Sequence, residues 1–306
     1  MNPVRTSLCA ALSGALLLAV PALAQPSGDP PAGEEDIVVT GERDRAPPTH
    51  RDVSRQARDI SDISSDIYDQ PLARIEDRLC PGVIGLKQDA AELMVDRIRW
   101  NAERLDMRLA ADTGCAPNLI IAFVEDGKAQ IAELQERQPW LFQSLTIPER
   151  EALLEEDGPV RVWTTAQMRT RDGMPIQRRE SLDAPPVVQM WMAHSKIYLT
   201  IREDITQVVV LFDRAAVRGK TVIQLADYAT MRSFAKTRPT EGDAPLDTIL
   251  ALFDPNHPPP GGLTDFDQAY LRSVYDSIAN LPAASKLLGV NRQLNRLADE
   301  DAESAE

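Results

Sequence analysis

VVVLF, Val208–Phe212, is the densest apolar run of the chain's second half. Three valines followed by leucine and phenylalanine, with no polar residue between them, fit a strand buried on both faces at the centre of a sheet. The strand is expected over Thr206–Phe212. After Arg218-Gly219 comes TVIQLADYATMRSFA, Thr221–Ala235, which is too long for a strand and reads as a buried helix. On the other side, strands are expected at Pro159–Met168, Val187–Met192 and Lys196–Ile201. VVQMWMAHSKIYLTI, Val187–Ile201, fits a hairpin turning at His194-Ser195.

Further upstream, NLIIAFV (Asn118–Val124) is a compact apolar run with the character of a buried strand. Before it, between Lys87 and Ala111, Ala91, Met94, Val95, Ile98, Ala102, Leu105 and Leu109 follow the i, i+3, i+4 rule. Arg97, Glu103, Arg104 and Arg108 fall between them, so an amphipathic helix is predicted. A helix is also expected near Lys128–Gln138. Thr146-Ile147-Pro148-Glu149 opens another, with Thr146 as N-cap, Pro148 in the first turn and Glu149 three residues on. Pro245–Phe253 reads as a short helix. LTDFDQAYLRSVYDS has Thr264 as N-cap and Asp267 as its acidic box partner, and Ser285–Leu297 gives a last helix. Helix, strand, helices, clustered strands and then only helices make an α+β class. A mixed or mostly antiparallel sheet packs with helices, and the C-terminal third is helical. One domain is expected over residues 79–297, followed by an acidic tail, 298–306.

The N-terminal segment reads differently. Arg5, the apolar stretch Leu8–Val20 and Ala22-Leu23-Ala24 fit a cleavable signal peptide over residues 1–24, cut after Ala24. The mature chain is then expected in the periplasm or secreted. No later stretch approaches ~18 consecutive apolar residues, so no transmembrane span is expected in it. Residues 25–78 are rich in Pro, Gly, Asp, Glu, Ser and Arg and read as a disordered leader. Ile60, Ile63 and Ile67 recur there at helical spacing and suggest a short, transiently docked helix.

The formal net charge of −14 argues against nucleic acid as a partner, since phosphates would be repelled. It argues equally against anionic lipid. With Cys9 in the signal, Cys80 and Cys115 remain, and an even pair in an exported chain favours a disulfide. Two isolated cysteines without a nearby histidine make a poor zinc site, and they are too far apart for a CxxC redox pair.

Signatures of chemistry are sparse. The three histidines, His50, His194 and His257, have no i+4 partner of their own kind. The HExxH, GxSxG, Walker A and GxGxxG patterns are absent. RGKT, Arg218–Thr221, lacks the upstream glycine of a phosphate loop and fits a strand-to-helix turn. No cofactor and no metal site is expected. The weak catalytic candidates are Asp227, alone within VIQLADYATM, and His194 or His257. A buried Asp227 either transfers protons at a raised pKa or pairs with an arginine on the helix's polar seam beside Gln224. Trp140, Trp163 and Trp191 with Tyr198 either line a ligand groove or belong to core and rim.

DIVVTGER, Asp36–Arg43, stands out within the leader. Its Asp36, Ile37, Val38, Val39, Thr40 and Gly41 resemble the TonB box of alphaproteobacterial outer-membrane receptors, an acidic residue and IVVTG shortly after the signal. The resemblance implies that Ile37, Val38, Val39, Thr40 and Gly41 add a strand to a TonB-type periplasmic energy-transducing protein. The chain has no plug domain and no barrel pattern, so it is not a receptor. LTDFDQAYLRSVY, Leu263–Tyr275, resembles the closing helix of zincin-type metalloproteases, and TVIQLADYATMRSFA would take the place of their metal helix. That resemblance puts Asp227 where the general base stands, and Ala226 and Thr230 where histidines are required, so it implies a zincin-like fold without its zinc. The chain as a whole resembles exported alphaproteobacterial proteins. The functional expectation is a non-catalytic periplasmic or envelope protein that binds a peptide or protein. The alternative is a divergent hydrolase or peptidase.

Overall fold

β5 (Ile201–Asp213) is the strand on which the sheet is built. The structure, a computed structural model, describes residues 48–63, 66–176, 195, 197–240 and 244–304. In it, β4 (Val160–Thr170) pairs antiparallel with β5 along its whole length. On the other edge of β5 lie β1 (Arg74–Ile75), pairing at Asp204 and Ile205, and β3 (Leu119–Val124), pairing from Val208 onward. Both are parallel to β5, and β2 (Pro81–Ile84) adds to β3, also parallel. The sheet is therefore mixed: its longest ladder is antiparallel, and its other three pairings are parallel. Together with the helices it makes the α+β fold the sequence predicts.

Side chains of β5 alternate between two cores, as the strand period requires. Val208, Val210 and Phe212 enter the larger one, and Val209 and Leu211 the smaller. The register of β4 on β5 shifts between Thr165 and Ala166, leaving Thr206 as the extra residue. This bulge turns Ile205 back into the larger core.

Several helices form where the periodicity and caps place them. These are α2 (Gln88–Glu103), α3 (Gly127–Arg137), α4 (Ile147–Glu155), α5 (Val222–Phe234) and α6 (Asp265–Tyr275). Thr146 with Glu149, Thr221 with Gln224 and Thr264 with Asp267 each complete a reciprocal capping box. Thr221 closes the RGKT turn as an N-cap, so that stretch is a strand-to-helix connection. Cys80 and Cys115 are joined by a disulfide with Cα atoms 6.2 Å apart. It ties together the entries of the neighbouring strands β2 and β3, and the chain-entropy model assigns such a loop about 3–4 kcal/mol. Among the described residues, no helix is long and apolar enough to cross a membrane.

Several expectations are corrected. The folded region begins by Thr49 rather than near Leu79. α1 (His50–Asp59) carries a Thr49–Asp52 capping box, buries Val53 and Ala57, and packs on α7 (Ala283–Ser304). Residues 48–63 and 66–78 therefore belong to the fold and not to the leader. Ile60, Ile63 and Ile67 form no helix. The chain leaves α1 at Ile60, which is core, and Asp62 N donates to Lys236 O. Pro245–Phe253 holds only a 3₁₀ turn, Ile249–Ala251, because the side chain of Asp267 accepts from Ile249 N and fixes the chain there. The acidic tail is helical to Ser304, and Arg272 pairs with Glu300 at 3.0 Å. Of the expected hairpin, Val187–Met192 and His194 lie outside the described residues. Residues 197–200 are not strand, and β5 starts at Ile201.

Candidate functional site

Asp227 sits on the inner face of α5, fully buried. Arg97 of α2 grips it with both prongs, Nε donating to Oδ1 at 2.8 Å and Nη2 to Oδ2 at 2.7 Å. Asn101, one turn further along α2, donates Nδ2 to Oδ1 at 2.7 Å, and Leu263 N donates to Oδ2 at 2.9 Å. A carboxylate offers about four lone-pair sites, and all are taken. Gly262 is required beside it, since a Cβ there would meet Oδ2 at 2.6 Å. Of the two readings of Asp227, the geometry is the arginine pair. The residue clamps α2, α5 and the entry of α6 together.

The other catalytic candidates do not join it. His257 Nδ1 lies 2.9 Å from Asp254 Oδ2 within its own loop, and among the described residues no histidine is a partner of Asp227. His50 Nδ1 lies 2.8 Å from Asn291 Oδ1. His194 is outside the described residues. Ala226 and Thr230 are fully buried, and Thr230 Oγ1 donates to Ala226 O. Among the described residues, no three His, Cys, Asp or Glu side chains converge as a metal site would require. The leader residues Ile37, Val38, Val39, Thr40 and Gly41 also fall outside the described residues.

The aromatic candidates separate as well. Trp163 packs on Phe142 with centroids 5.4 Å apart, inside the smaller core. Trp140 is exposed, Trp191 is outside the described residues, and Tyr198 N donates to Ser195 Oγ. Trp163 also borders the depression beside β4, but the exposed tryptophan in the wall of a cavity is Trp100, and the groove reading passed it over. Trp100 lies on the outer side of α2 and is 42% exposed. The guanidinium carbons of Arg97 and Arg104 stand 4.3 and 4.6 Å from its ring centroid, a double cation–π contact. The signal was legible: Arg97, Trp100 and Arg104 at i, i+3 and i+7 share one helix face, which sets an aromatic ring between two cations.

Between this face and α6 lies a cavity of about 60 Å³. Its walls include Trp100, Asn101 and Arg104 from α2 and Leu263, Leu271 and Arg272 from the α6 side. The charges around it are unequally matched. Arg97 is neutralised by Asp227 and Arg272 by Glu300. Among the described residues Arg104 has no carboxylate partner, and its Nη2 donates to Gln268 Oε1 at 3.0 Å. Asn101 is 2% exposed, and its Nδ2 is shared between Asp227 Oδ1 and Thr230 Oγ1. Turning the amide over would set oxygen against the carboxylate, so this orientation is chemically compelled. Its Oδ1 is buried and accepts no hydrogen bond among the described residues.

Wider depressions also occur. One of about 880 Å³ is bordered by Arg58, Ile63 and Arg238, and one of about 240 Å³ lies beside β4 with Glu149 and Lys236 on its walls. Lys236 Nζ stands 3.5 Å from Glu149 and 3.9 Å from Asp62, so its charge is met within the fold. No protein-family model, no curated protein and no solved structure matches the chain.

Proposed function

We propose that the chain is a non-catalytic exported protein of the periplasm or envelope that binds a peptide or another protein at the cleft between α2 and α6. Its leader then serves as a second contact, adding the strand Ile37–Gly41 to a TonB-type energy-transducing partner. One observation carries the reading. Asp227, the best placed acid, is saturated by its clamp, while the cleft beside it offers an exposed tryptophan and an arginine that has no carboxylate partner among the described residues. That is equipment for recognition. The hydrolase alternative needs Asp227 as a base, and no lone pair is left for a proton in flight. The Cys80–Cys115 bridge is consistent with an oxidising compartment.

The cleft is tested by placing a photo-crosslinking side chain at position 100 and, as a control, at the exposed Leu288. Defined peptide or protein adducts from a periplasmic fraction are expected at 100 and not at 288. Equal labelling at both, or none at either, defeats the reading. The leader is tested separately by titrating a labelled Asp36–Arg43 peptide with the energy-transducing periplasmic domain. Saturable binding that is lost on Val38→Pro is expected, and binding indifferent to that change removes the strand-addition part.

A further inference from the structure

We infer that the outer edge of β4 takes an extended peptide strand from a partner, at a site separate from the α2–α6 cleft. The ladder fixes which backbone groups face outward. Asp213 N donates to Pro159 O, and Val160 stands opposite Phe212, so Pro159, Arg161, Trp163 and Thr165 turn their backbone groups to β5. Val160, Val162 and Thr164 turn theirs the other way. The same parity holds further along, where Met168 O accepts from Ile176 N and Thr170 N donates to Met174 O on that outer side. There the chain's own return covers the edge. At Val160, Val162 and Thr164 no described residue does so. Among the described residues none of their backbone N–H or C=O groups has a hydrogen-bond partner.

An unpaired edge invites another strand unless it is short, charged or covered. This stretch borders the depression of about 240 Å³ beside β4, and Val162 and Thr164 are partly exposed. Leu153 and Trp163 on its wall belong to the smaller core, and Val160 and Val162 to the larger, so the depression straddles the rim of the sheet. Donors and acceptors that alternate along one line are matched by an extended backbone, which continues the ladder. From Val160 to Thr164 the edge runs ~13 Å at ~3.3 Å per residue, the length of a strand of four or five residues. The depression holds about eight water-sized volumes of ~30 Å³, room for the backbone of such a strand while its side chains lie in the open mouth. Charge narrows the partner. Arg232 and Lys236 are set against Asp62, Glu149 and Glu156, close to balance, so neither sign is selected. With apolar side chains of both cores at the rim, the occupant is an uncharged, β-branched segment.

The test titrates acetyl-Thr-Val-Thr-Val-Thr-amide into the full mature chain and follows the backbone amides of Val162 and Thr164 by NMR. In the free chain both are expected to exchange rapidly with solvent, and saturating peptide should slow them at least about tenfold. Two peptides, each with two N-methyl groups, decide the mode. Methylation of the second and fourth residues blocks one edge of the peptide and leaves the other whole, so binding should persist. Methylation of the second and third interrupts both edges and should cost at least about tenfold in affinity. Equal affinity of these two peptides overturns the inference, as does a parent peptide without saturable binding. Thr164→Pro removes one outward N–H and leaves the bonds of Trp163 and Thr165 to β5 in place, so it should weaken the parent peptide with the circular dichroism spectrum unchanged. Unweakened binding to that variant overturns the inference too, and the methylated pair decides alone if the variant does not fold. Slow exchange of Val162 and Thr164 in the free chain would mean that the edge is already covered. Protection that grows with protein concentration would assign it to a second copy. Either result overturns the partner strand, while the crosslinking at position 100 judges the α2–α6 cleft independently.

Discussion

Asp227 and Lys286 are both buried charges, and the fold treats them in opposite ways. Asp227 has a bidentate guanidinium and two further donors, so removing it strands Arg97. Asp227→Ala is expected to destabilise the protein by about 3–5 kcal/mol, as breaking one side of a buried pair does. Chemical denaturation measures this, and a loss below about 1 kcal/mol would show that the clamp holds nothing. Lys286 has no carboxylate in hydrogen-bonding reach among the described residues. It is 1% exposed, and its Nζ donates to Ala279 O at 3.2 Å. Burial, with the nearby Arg74 charge adding to it, pushes its pKa down to about 7, and Glu76 only partly offsets this. In the unfolded chain Lys286 keeps its proton up to its ordinary value near 10.5. Between about pH 7 and pH 10.5 the unfolded chain therefore binds more protons, and stability gains from this group as pH rises through that window. Lys286→Met is expected to stabilise the protein at pH 7 by about 1–3 kcal/mol. Its advantage over the wild type should shrink by about 2 kcal/mol by pH 9. Urea titrations of the two proteins at both pH values check the difference, and a pH-independent gap would exclude the titration.

At the scale of elements, α1 is the instructive case. Its sequence HRDVSRQARD is strongly polar, and only Val53 and Ala57 mark a face, so composition assigned it to a disordered leader. Those two residues nonetheless enter the larger core, and the helix docks on α7, which lies more than two hundred residues away along the chain. Val53→Asp is therefore expected to cost about 3 kcal/mol or more. The exposed neighbour change Arg51→Asp should stay within about 0.5 kcal/mol. Thermal melts decide this, and equal effects would return α1 to the leader. The same contrast explains what could be read in advance. α2 was legible because Met94, Ile98 and Ala102 repeat at helical spacing and are all buried. α4 and α6 were legible because Thr146 and Thr264 announce capping boxes. Thr49 and Asp52 form one too, but no apolar stripe follows it in that polar segment, and the sequence reading did not single it out. β1 has two residues and β2 opens on Pro81-Gly82, so neither shows an alternation. The partners of Asp227 come from helix α2 and from Leu263, contacts that no local pattern encodes. The cavity beside them depends on how α2 meets α6, which periodicity does not specify.

At the scale of the molecule, the sheet divides the interior unequally. One face carries the large core shared by α1, α2, α5, α6 and α7. Among the described residues the other carries six buried ones, Ile131, Phe142, Leu153, Trp163, Val209 and Leu211, under α3 and α4. Burial supplies most of the free energy that holds an element, at about 25 cal/mol per Å² of apolar surface. The thin face must therefore open at a lower cost than the thick one, and opening it leaves β5 covered on its other side. The amides of α3 and α4 are expected to exchange with solvent through a sub-global opening, well before those of α5 within Val222–Phe234. Trp163→Ala removes the aromatic partner of Phe142 and should lower the opening energy of α3 and α4 by about 3 kcal/mol. The exchange of α5 should change by far less, because none of its buried residues belongs to the smaller core. Hydrogen exchange followed by mass spectrometry in low urea measures both. A single common isotherm for α3, α4 and α5 would mean that the two faces open as one. Separate isotherms would place the α2–α6 cleft, with Trp100 and Arg104, on the face that stays closed while the opposite face breathes.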